Sequence, residues 1–83
     1  MYWVYILESE KDNSFYIGQT NCIEKRIVEH NQGLSKYTSR KMPWKIVYTE
    51  EYNSREEAMQ REQFLKKQRN RNFYNRLITS KNK

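Results

Sequence analysis

Residues 2–7 read Tyr-Trp-Val-Tyr-Ile-Leu, an unbroken run of aromatic, β-branched and leucine side chains. A short apolar run of this kind predicts a strand that is buried on both of its faces. The polar residues 11–14 predict a turn, and residues 15–18 (Phe-Tyr-Ile-Gly) predict a second strand. The chain is therefore expected to begin with a β-hairpin whose first strand lies inside the molecule.

A helix is predicted after the hairpin. Asn21 followed by Glu24 has the spacing of a capping box, in which each residue satisfies a free backbone N–H group at the start of a helix. The helix is expected to run to about Asn31 and to stop at Gly33, since glycine is favoured just past a helix end. Residues 34–43 then form a basic loop.

The second half of the chain predicts one more strand and two helices. Trp44, Ile46 and Tyr48 alternate with Lys45, Val47 and Thr49, which is the period of a strand. Ser54 and Glu57 form a second capping box, opening a helix to about Gln68. A last helix, around 72–79, carries Phe73, Leu77 and Ile78 on one stripe. The order β-β-α-β-α-α predicts an α+β fold in which three helices flank a small three-stranded antiparallel sheet.

Length and composition limit the class of protein. Eighty-three residues, 36% of them hydrophobic, suit one small domain over 1–83, with a core at about 2–79 and a basic tail at 80–83. A single cysteine, Cys22, argues against an internal disulfide and a cysteine-based zinc site. We find neither a long apolar segment nor a signal-peptide pattern, so we expect a soluble cytoplasmic protein that does not enter a membrane.

The net charge of +6 is unevenly distributed. No acidic residue lies between Glu29 and Glu50, and none follows Glu62, yet both segments are rich in lysine and arginine. Basic runs of this kind attract phosphate backbones and release counterions on binding. The alternative is a solvated basic surface that only promotes solubility, so charge alone does not decide for nucleic acid.

Several side chains suited to phosphate chemistry occur in the predicted elements. Tyr5 and Tyr16 lie on the two strands of the hairpin, and Arg26 and His30, four residues apart, share one face of the first helix. Taken singly, each has an ordinary structural explanation, because tyrosine is common in strands and arginine and histidine are common on helix surfaces.

Glu62 occupies an unusual position for a carboxylate. On a helix it falls on the same stripe as Ala58 and Leu65, which are expected to face the core. An unpaired carboxylate there would be costly. Glu62 is therefore predicted to be paired, to lie at the exposed edge of the core, or to be bound to something. The pair would be the i,i+4 pair with Lys66, and the bound partner would be a metal ion, since Mg²⁺ often takes only one or two carboxylates.

The ordered set Tyr5, Tyr16, Arg26, His30 and Glu62 resembles that of the GIY-YIG endonuclease family, in particular its small single-domain members. The resemblance runs from Tyr2 to about Ile78; Trp3 replaces the glycine of the first motif half, and Gly18 of the second half is present. It implies the fold described above. It also implies metal-dependent hydrolysis of DNA phosphodiesters, with one Mg²⁺ or Mn²⁺ ion, as in DNA repair or recombination.

The resemblance also implies a role for each residue of the set. Tyr5, assisted by His30, would activate the attacking water, and Arg26 with Tyr16 would hold the scissile phosphate. Glu62 would be the metal ligand. We expect all five side chains to converge on one concave, basic surface.

Further contacts to DNA are expected from the basic loop, the end of the second long helix and the last helix. Either Asn72 or Asn75 would lie near the phosphate, and Tyr37 would either contact the DNA backbone or cover the core. The expected partner is DNA, bound through its backbone with little sequence readout; a partner protein or an oligomer would then supply specificity. The alternative function is a nucleic-acid-binding module with weak or no catalysis. The predicted contact residues are Gly18, Lys36, Tyr37, Thr38, Arg40, Lys66, Lys67, Asn72 and Asn75.

Overall fold

The computed structural model describes residues 1–34 and 36–81. Within them the strands form one antiparallel sheet in the order β2-β1-β3, with α-helices on both sides, so the predicted α+β fold is confirmed. No helix of the described residues is long and apolar enough to cross a membrane. The elements are β1 (Tyr2–Ser9), β2 (Phe15–Thr20), α1 (Ile23–Asn31), a 3₁₀ helix (Thr38–Lys41), β3 (Trp44–Tyr52), α2 (Arg55–Gln68) and α3 (Arg71–Lys81).

The C-terminal boundary differs from the prediction. Helix α3 was expected to end near residue 79 and to be followed by a basic tail at 80–83. The helix continues to Lys81, and residues 82 and 83 of the predicted tail lie outside the described residues.

Strand β1 is the central strand, and both of its faces are buried, as predicted. Val4 and Ile6 point to the face covered by α2 and α3, while Tyr5 and Leu7 point to the face covered by α1. The first core cluster contains Val4, Ile6, Ile17, Tyr48, Ala58, Leu65 and Tyr74. The second contains Tyr5, Leu7 and Trp44, with Tyr16, Ile23, Ile27 and Met42 packed against it.

The simple alternation predicted for β3 is wrong because the strand contains an irregularity. Ile6 lies opposite Tyr48, whereas the next residue of β1, Leu7, lies opposite Ile46. Val47 is thus the extra residue of a β-bulge, which switches the side chains to the other face. As a result, Trp44 packs with the α1 cluster and Tyr48 with the α2–α3 cluster.

Of the two predicted ends of α1, the N-terminal one is wrong and the C-terminal one is confirmed. The N-cap is Cys22, which makes no side-chain cap, so the Asn21–Glu24 capping box is wrong. The Thr20 hydroxyl instead accepts a hydrogen bond from the Cys22 N–H at 3.1 Å. The predicted stop at Gly33 is confirmed: Gly33 has φ +75°, a conformation that glycine adopts without strain.

Helix α2 begins as predicted and is anchored to β3 by a network that the sequence did not predict. The Ser54 hydroxyl accepts from the Glu57 N–H at 3.2 Å, confirming the second capping box. Further along α2, Arg61 donates to both oxygens of Glu50 at 2.9 and 3.0 Å. Tyr48 and Tyr52 also donate to Glu50, whose side chain is 14% exposed. This carboxylate therefore joins β3 to α2 through four hydrogen bonds.

We expect Glu50→Gln to lower the free energy of unfolding by about 2 kcal/mol at neutral pH, because it leaves the half-buried Arg61 without its counter-charge. Burial alone would raise the pKa of Glu50, but the hydrogen bonds from Arg61, Tyr48 and Tyr52 outweigh it and lower this pKa. The stabilisation is therefore present above the pKa of an unfolded glutamate and is lost as the pH falls below about 4.

Denaturant unfolding at neutral and acidic pH measures this effect, with Glu51→Gln as the control, since Glu51 is the exposed neighbour on the same strand. The difference in stability between the parent and Glu50→Gln should shrink in acid. A difference that is absent at neutral pH, or unchanged in acid, contradicts the assignment.

Candidate active site

Two tyrosines of the hairpin project together on the α1 side of the sheet. Tyr5 lies in the central strand directly opposite Gly18, and its ring centroid is 6.4 Å from that of Tyr16. A Cβ atom at Gly18 would lie 2.5 Å from the Tyr5 hydroxyl oxygen and 3.2 Å from a Tyr16 ring carbon. Gly18 is therefore required so that the Tyr5 ring can lie across β2. We had predicted a contact between Gly18 and DNA, but Gly18 is buried.

His30 lies behind the two phenols and is fully buried. Its Nε2 is 3.1 Å from the Tyr5 hydroxyl, and its Nδ1 is 2.8 Å from the Thr38 hydroxyl. The Tyr16 ring also packs edge-on against the imidazole, 5.0 Å between centroids. In the tautomer that carries its proton on Nδ1, His30 donates to Thr38, and Nε2 accepts the phenolic hydrogen of Tyr5.

Burial keeps both partners of the tyrosine–histidine hydrogen bond uncharged at neutral pH. Burial raises the pKa of Tyr5 to about 12, even though the adjacent Arg26 guanidinium acts to lower it. Burial and the positive charge of Arg26 both lower the pKa of His30. A neutral imidazole is thus placed to accept a proton from a neutral phenol.

Arg26 lies beside Tyr5, with its side chain 35% exposed. Although an arginine on this helix is expected on its open face, away from Ile23 and Ile27, Arg26 shares the lining of a small void with both of them. Its guanidinium forms an ion pair with Glu29 at 2.9 Å. Glu29 was not predicted to join the site, although its i,i+3 spacing from Arg26 indicates such a pair.

Glu62 approaches the site from the other side of the sheet. Its side chain is 19% exposed and pairs with Lys66 at 3.2 Å, so the i,i+4 pair foreseen from the sequence is present. Its helix packs on the sheet face opposite α1. Its negative charge makes the smallest of the contributions that raise the pKa of Tyr5.

A groove around the edge strand β2 connects the two faces of the sheet. It has a volume of about 590 Å³ and combines Tyr16 and Tyr37 with Lys66 and Arg69. Because β2 is the edge of the sheet, side chains from α1's face and from α2's face meet there. Tyr5 and His30 are thus hydrogen-bonded, Tyr16 packs against both of their rings, and Arg26 lies beside Tyr5. Of the predicted set, Tyr16 lines the groove, and Glu62 is connected to it through its partner Lys66.

Comparison with known proteins decides the family. The family model described as the GIY-YIG catalytic domain matches residues 1–75. The chain belongs to the GIY-YIG family. It is 48% identical over 82 residues to a UPF0213 protein of Clostridium perfringens, covering 98% of this chain and 86% of that protein. A UPF0213 protein of Bacillus licheniformis is 45% identical over 67 residues, covering 80% and 68% of the two chains.

A solved structure supports the same assignment. The solution NMR structure of a UPF0213 protein from Bacillus halodurans is similar to this GIY-YIG domain, with a TM-score of 0.59 and 37% sequence identity. The match covers 98% of this chain and 86% of the other. The resemblance proposed from the sequence is therefore confirmed: the chain carries a domain of a nuclease family, in the small form typified by UPF0213 proteins.

The remaining DNA-contact candidates of the GIY-YIG domain fall into three groups. Thr38 is fully buried, so its side chain is not placed to contact DNA; its hydroxyl holds His30 instead. Asn72 and Asn75 are exposed on α3, where they line a different depression with Arg76, Thr79 and Ser80. Those exposed near the groove or in the basic loop are Lys36, Tyr37, Arg40, Lys66 and Lys67.

The described residues of the GIY-YIG domain contain no group of three or more His, Cys, Asp or Glu side chains that could hold a metal ion. Such a group is not needed for Mg²⁺, which keeps several waters and binds through one or two carboxylates together with substrate phosphates. Glu62, a half-buried carboxylate paired with a lysine that lines the groove, fits this donor set.

Proposed function

We propose that this chain is a divalent-metal-dependent DNA endonuclease that hydrolyses phosphodiester bonds. The observation that carries the proposal is the hydrogen bond between the buried, neutral Tyr5 and His30, with Arg26 beside it and Tyr16 against the imidazole. A domain that only binds nucleic acid has no need for a proton acceptor behind a phenol, or for a carboxylate such as Glu62 beside phosphate.

The proton path follows from the hydrogen bonds that join Tyr5, His30 and Thr38. Tyr5, with its pKa near 12, does not act as a free phenolate at neutral pH. Instead, its hydroxyl oxygen accepts a proton from the attacking water while its own proton passes to His30 Nε2. The imidazolium that forms continues to donate its Nδ1–H hydrogen bond to the Thr38 hydroxyl. The water oxygen then bonds to phosphorus as the bond to the leaving oxygen breaks.

Arg26 and Tyr16 would hold the phosphate during this step. A guanidinium carries five N–H donors, so Arg26 keeps donors for a phosphate while it pairs with Glu29. Its permanent charge suits the extra negative charge of a pentavalent phosphate. Within the described residues the Tyr16 hydroxyl has no hydrogen-bond partner, which leaves it available to a phosphate oxygen.

Glu62 would hold the divalent cation. When bound, Mg²⁺ or Mn²⁺ supplies positive charge that stabilises the leaving oxygen. The Lys66 ammonium, now paired with Glu62 at 3.2 Å, would then turn to the phosphate backbone.

A cleavage panel tests the proposal. Single-stranded, duplex, branched and damaged DNA are incubated with the protein and Mg²⁺ or Mn²⁺, and in parallel with EDTA. We expect cleavage that EDTA abolishes, and binding that weakens by about tenfold or more between ~50 and ~200 mM salt. If DNA is bound but no substrate is cut with either metal, the chain is a binding module and the proposal is wrong.

Gly18→Ala provides a test of the site geometry. The new methyl group overlaps the Tyr5 hydroxyl and must push the phenol away from His30. We expect cleavage to fall by about a hundredfold or more, since a displacement of about 1 Å in a catalytic group costs this much. Overpacking should also lower the free energy of unfolding by about 1–3 kcal/mol.

Gly33→Ala is the matched control, because it is destabilised for a different reason. Gly33 has φ +75°, a strained conformation for alanine, but its new methyl group would meet only ordinary contacts beginning at 3.6 Å. Single-turnover cleavage is compared with thermal unfolding for both variants. Equal losses of cleavage in the two variants would show that stability, and not the position of Tyr5, limits activity.

A further inference from the structure

Tyr37 is an exposed aromatic residue at the mouth of the site. Its side chain is 66% exposed, yet its ring lies 5.9 Å from that of Tyr16, with 38° between the ring planes. A single exposed aromatic residue is ordinary on a protein surface. Its position against a residue of the proposed site, and its charged surroundings, give it a more specific meaning.

Tyr37 forms a ridge between two basic grooves. On one side is the groove of about 590 Å³ that contains Tyr16. On the other is a depression of about 560 Å³ in the basic loop. Both are within the size range of small-ligand sites, and none of the described residues that line them is acidic. Among the described residues, their charged lining consists of Lys66 and Arg69 on one side and Lys36, Arg40 and Lys41 on the other.

The backbone that carries Tyr37 is held to the site by its neighbour. Thr38 is fully buried, and its hydroxyl lies 2.8 Å from His30 Nδ1. Its carbonyl oxygen accepts a hydrogen bond from the Trp44 indole at 2.9 Å. The start of the 3₁₀ helix is therefore fixed relative to the imidazole, so Tyr37 has a defined position before any ligand arrives.

We infer that Tyr37 is a stacking platform for an unpaired DNA base next to the scissile phosphate, an inference that rests on the proposed nuclease function. Aromatic faces between basic grooves are the usual means of binding single-stranded nucleic acid. Inside a duplex both faces of a base are covered by its neighbours, so only an unpaired or unstacked nucleotide offers a face to Tyr37. The substrate class is accordingly DNA with an unpaired nucleotide at the cleavage point.

Binding in EDTA tests this inference without requiring cleavage. The probes are an oligonucleotide with one 2-aminopurine in a single-stranded region, the same oligonucleotide in a full duplex, and the corresponding RNA strand. Fluorescence anisotropy gives the affinity, and quenching of 2-aminopurine reports stacking on an aromatic ring. The variants are Tyr37→Phe, which keeps the ring, and Tyr37→Leu, which keeps apolar bulk without it. Phe64→Leu is the control, since Phe64 is an aromatic residue on α2 that is 46% exposed and borders neither groove.

We expect the parent to bind the single-stranded probe about tenfold more tightly than the duplex and to quench the 2-aminopurine. Tyr37→Phe and Phe64→Leu should behave like the parent, while Tyr37→Leu should lose about tenfold in affinity together with the quenching. Thermal unfolding should be unchanged in Tyr37→Leu, because the side chain is exposed.

Each contrary result is informative in a different way. Equal binding of single strand and duplex, or unchanged quenching in Tyr37→Leu, overturns the inference while leaving the nuclease proposal intact. Tighter binding of the RNA strand overturns the assignment to DNA. If the parent binds none of the probes at low salt, the proposed function itself fails, and the inference fails with it.

Discussion

Arg26→Ala is expected to reduce cleavage by about a thousandfold while leaving the protein folded. Arg26 lies beside the Tyr5 phenol, and its guanidinium is proposed to stabilise charge that builds up on the phosphate only during the reaction. The loss should therefore fall on the chemical step. DNA binding should weaken by no more than one lost phosphate contact. Single-turnover cleavage at saturating protein, together with DNA titration in EDTA, separates the two effects.

Glu29→Gln is the matched control for this variant. It removes the 2.9 Å ion pair with Arg26 but leaves the guanidinium in place. Because the pair is partly exposed, its loss should change stability by less than about 1 kcal/mol and should leave cleavage near the parent rate. If Arg26→Ala cuts DNA as fast as Glu29→Gln does, Arg26 has no part in the chemistry.

Glu62→Gln is expected to abolish metal-dependent cleavage, by about a thousandfold or more, because it removes the proposed ligand of the divalent cation. The variant should bind DNA as well as the parent or better. A negative charge that faces phosphate is lost, and Lys66, released from its 3.2 Å pair, gains freedom to contact the backbone. Cleavage over a range of Mg²⁺ and Mn²⁺ concentrations, together with DNA titration in EDTA, measures both outcomes.

Two further variants separate a metal ligand from an ordinary ion pair. Lys66→Gln breaks the same pair from the other side, so a purely structural Glu62 predicts the same small effect, a few tenths of a kcal/mol, for both variants. The proposal instead predicts that Lys66→Gln weakens DNA binding and still cuts in response to metal. Glu56→Gln, at an exposed position in the first turn of the same helix, controls for the loss of one negative charge.

Features of the fold that depend on local residues were predictable from the sequence. The central strand was recognisable because residues 2–7 are apolar without interruption, and Ser54 and Gly33 mark helix ends through their own backbone and side-chain chemistry. The bulge at Val47 was not predictable. It arises only when β3 pairs with β1 and contributes side chains to the core clusters on both faces of the sheet. The start of α1 was also misplaced, because the N-cap is Cys22 and the nearby hydroxyl of Thr20, at the end of β2, bonds the Cys22 N–H.

In the candidate site, too, local features were predictable from the sequence and features that depend on tertiary contacts were not. Its residue types were identified by their order along the chain, and the structure brings the two tyrosines, Arg26 and His30 together. The role of Gly18 became clear only with β1 paired to β2, since the atoms it makes room for lie on Tyr5, in the other strand. The bond from Thr38 to His30 depends on the path of a loop, which has no periodic pattern from which to predict it.

The placement of Tyr5 has a consequence for how related sequences are to be interpreted. Its side chain is only 3% exposed and packs with Leu7 and Trp44, so it supports the core as well as the proposed chemistry. A descendant that had lost its activity would still need an aromatic ring at this position to remain folded. Selection for folding alone would retain it, whereas the more exposed Arg26 and Glu62 would be free to drift. In this family, an intact first tyrosine is thus weak evidence of a working enzyme, and the arginine and the glutamate are the positions to inspect.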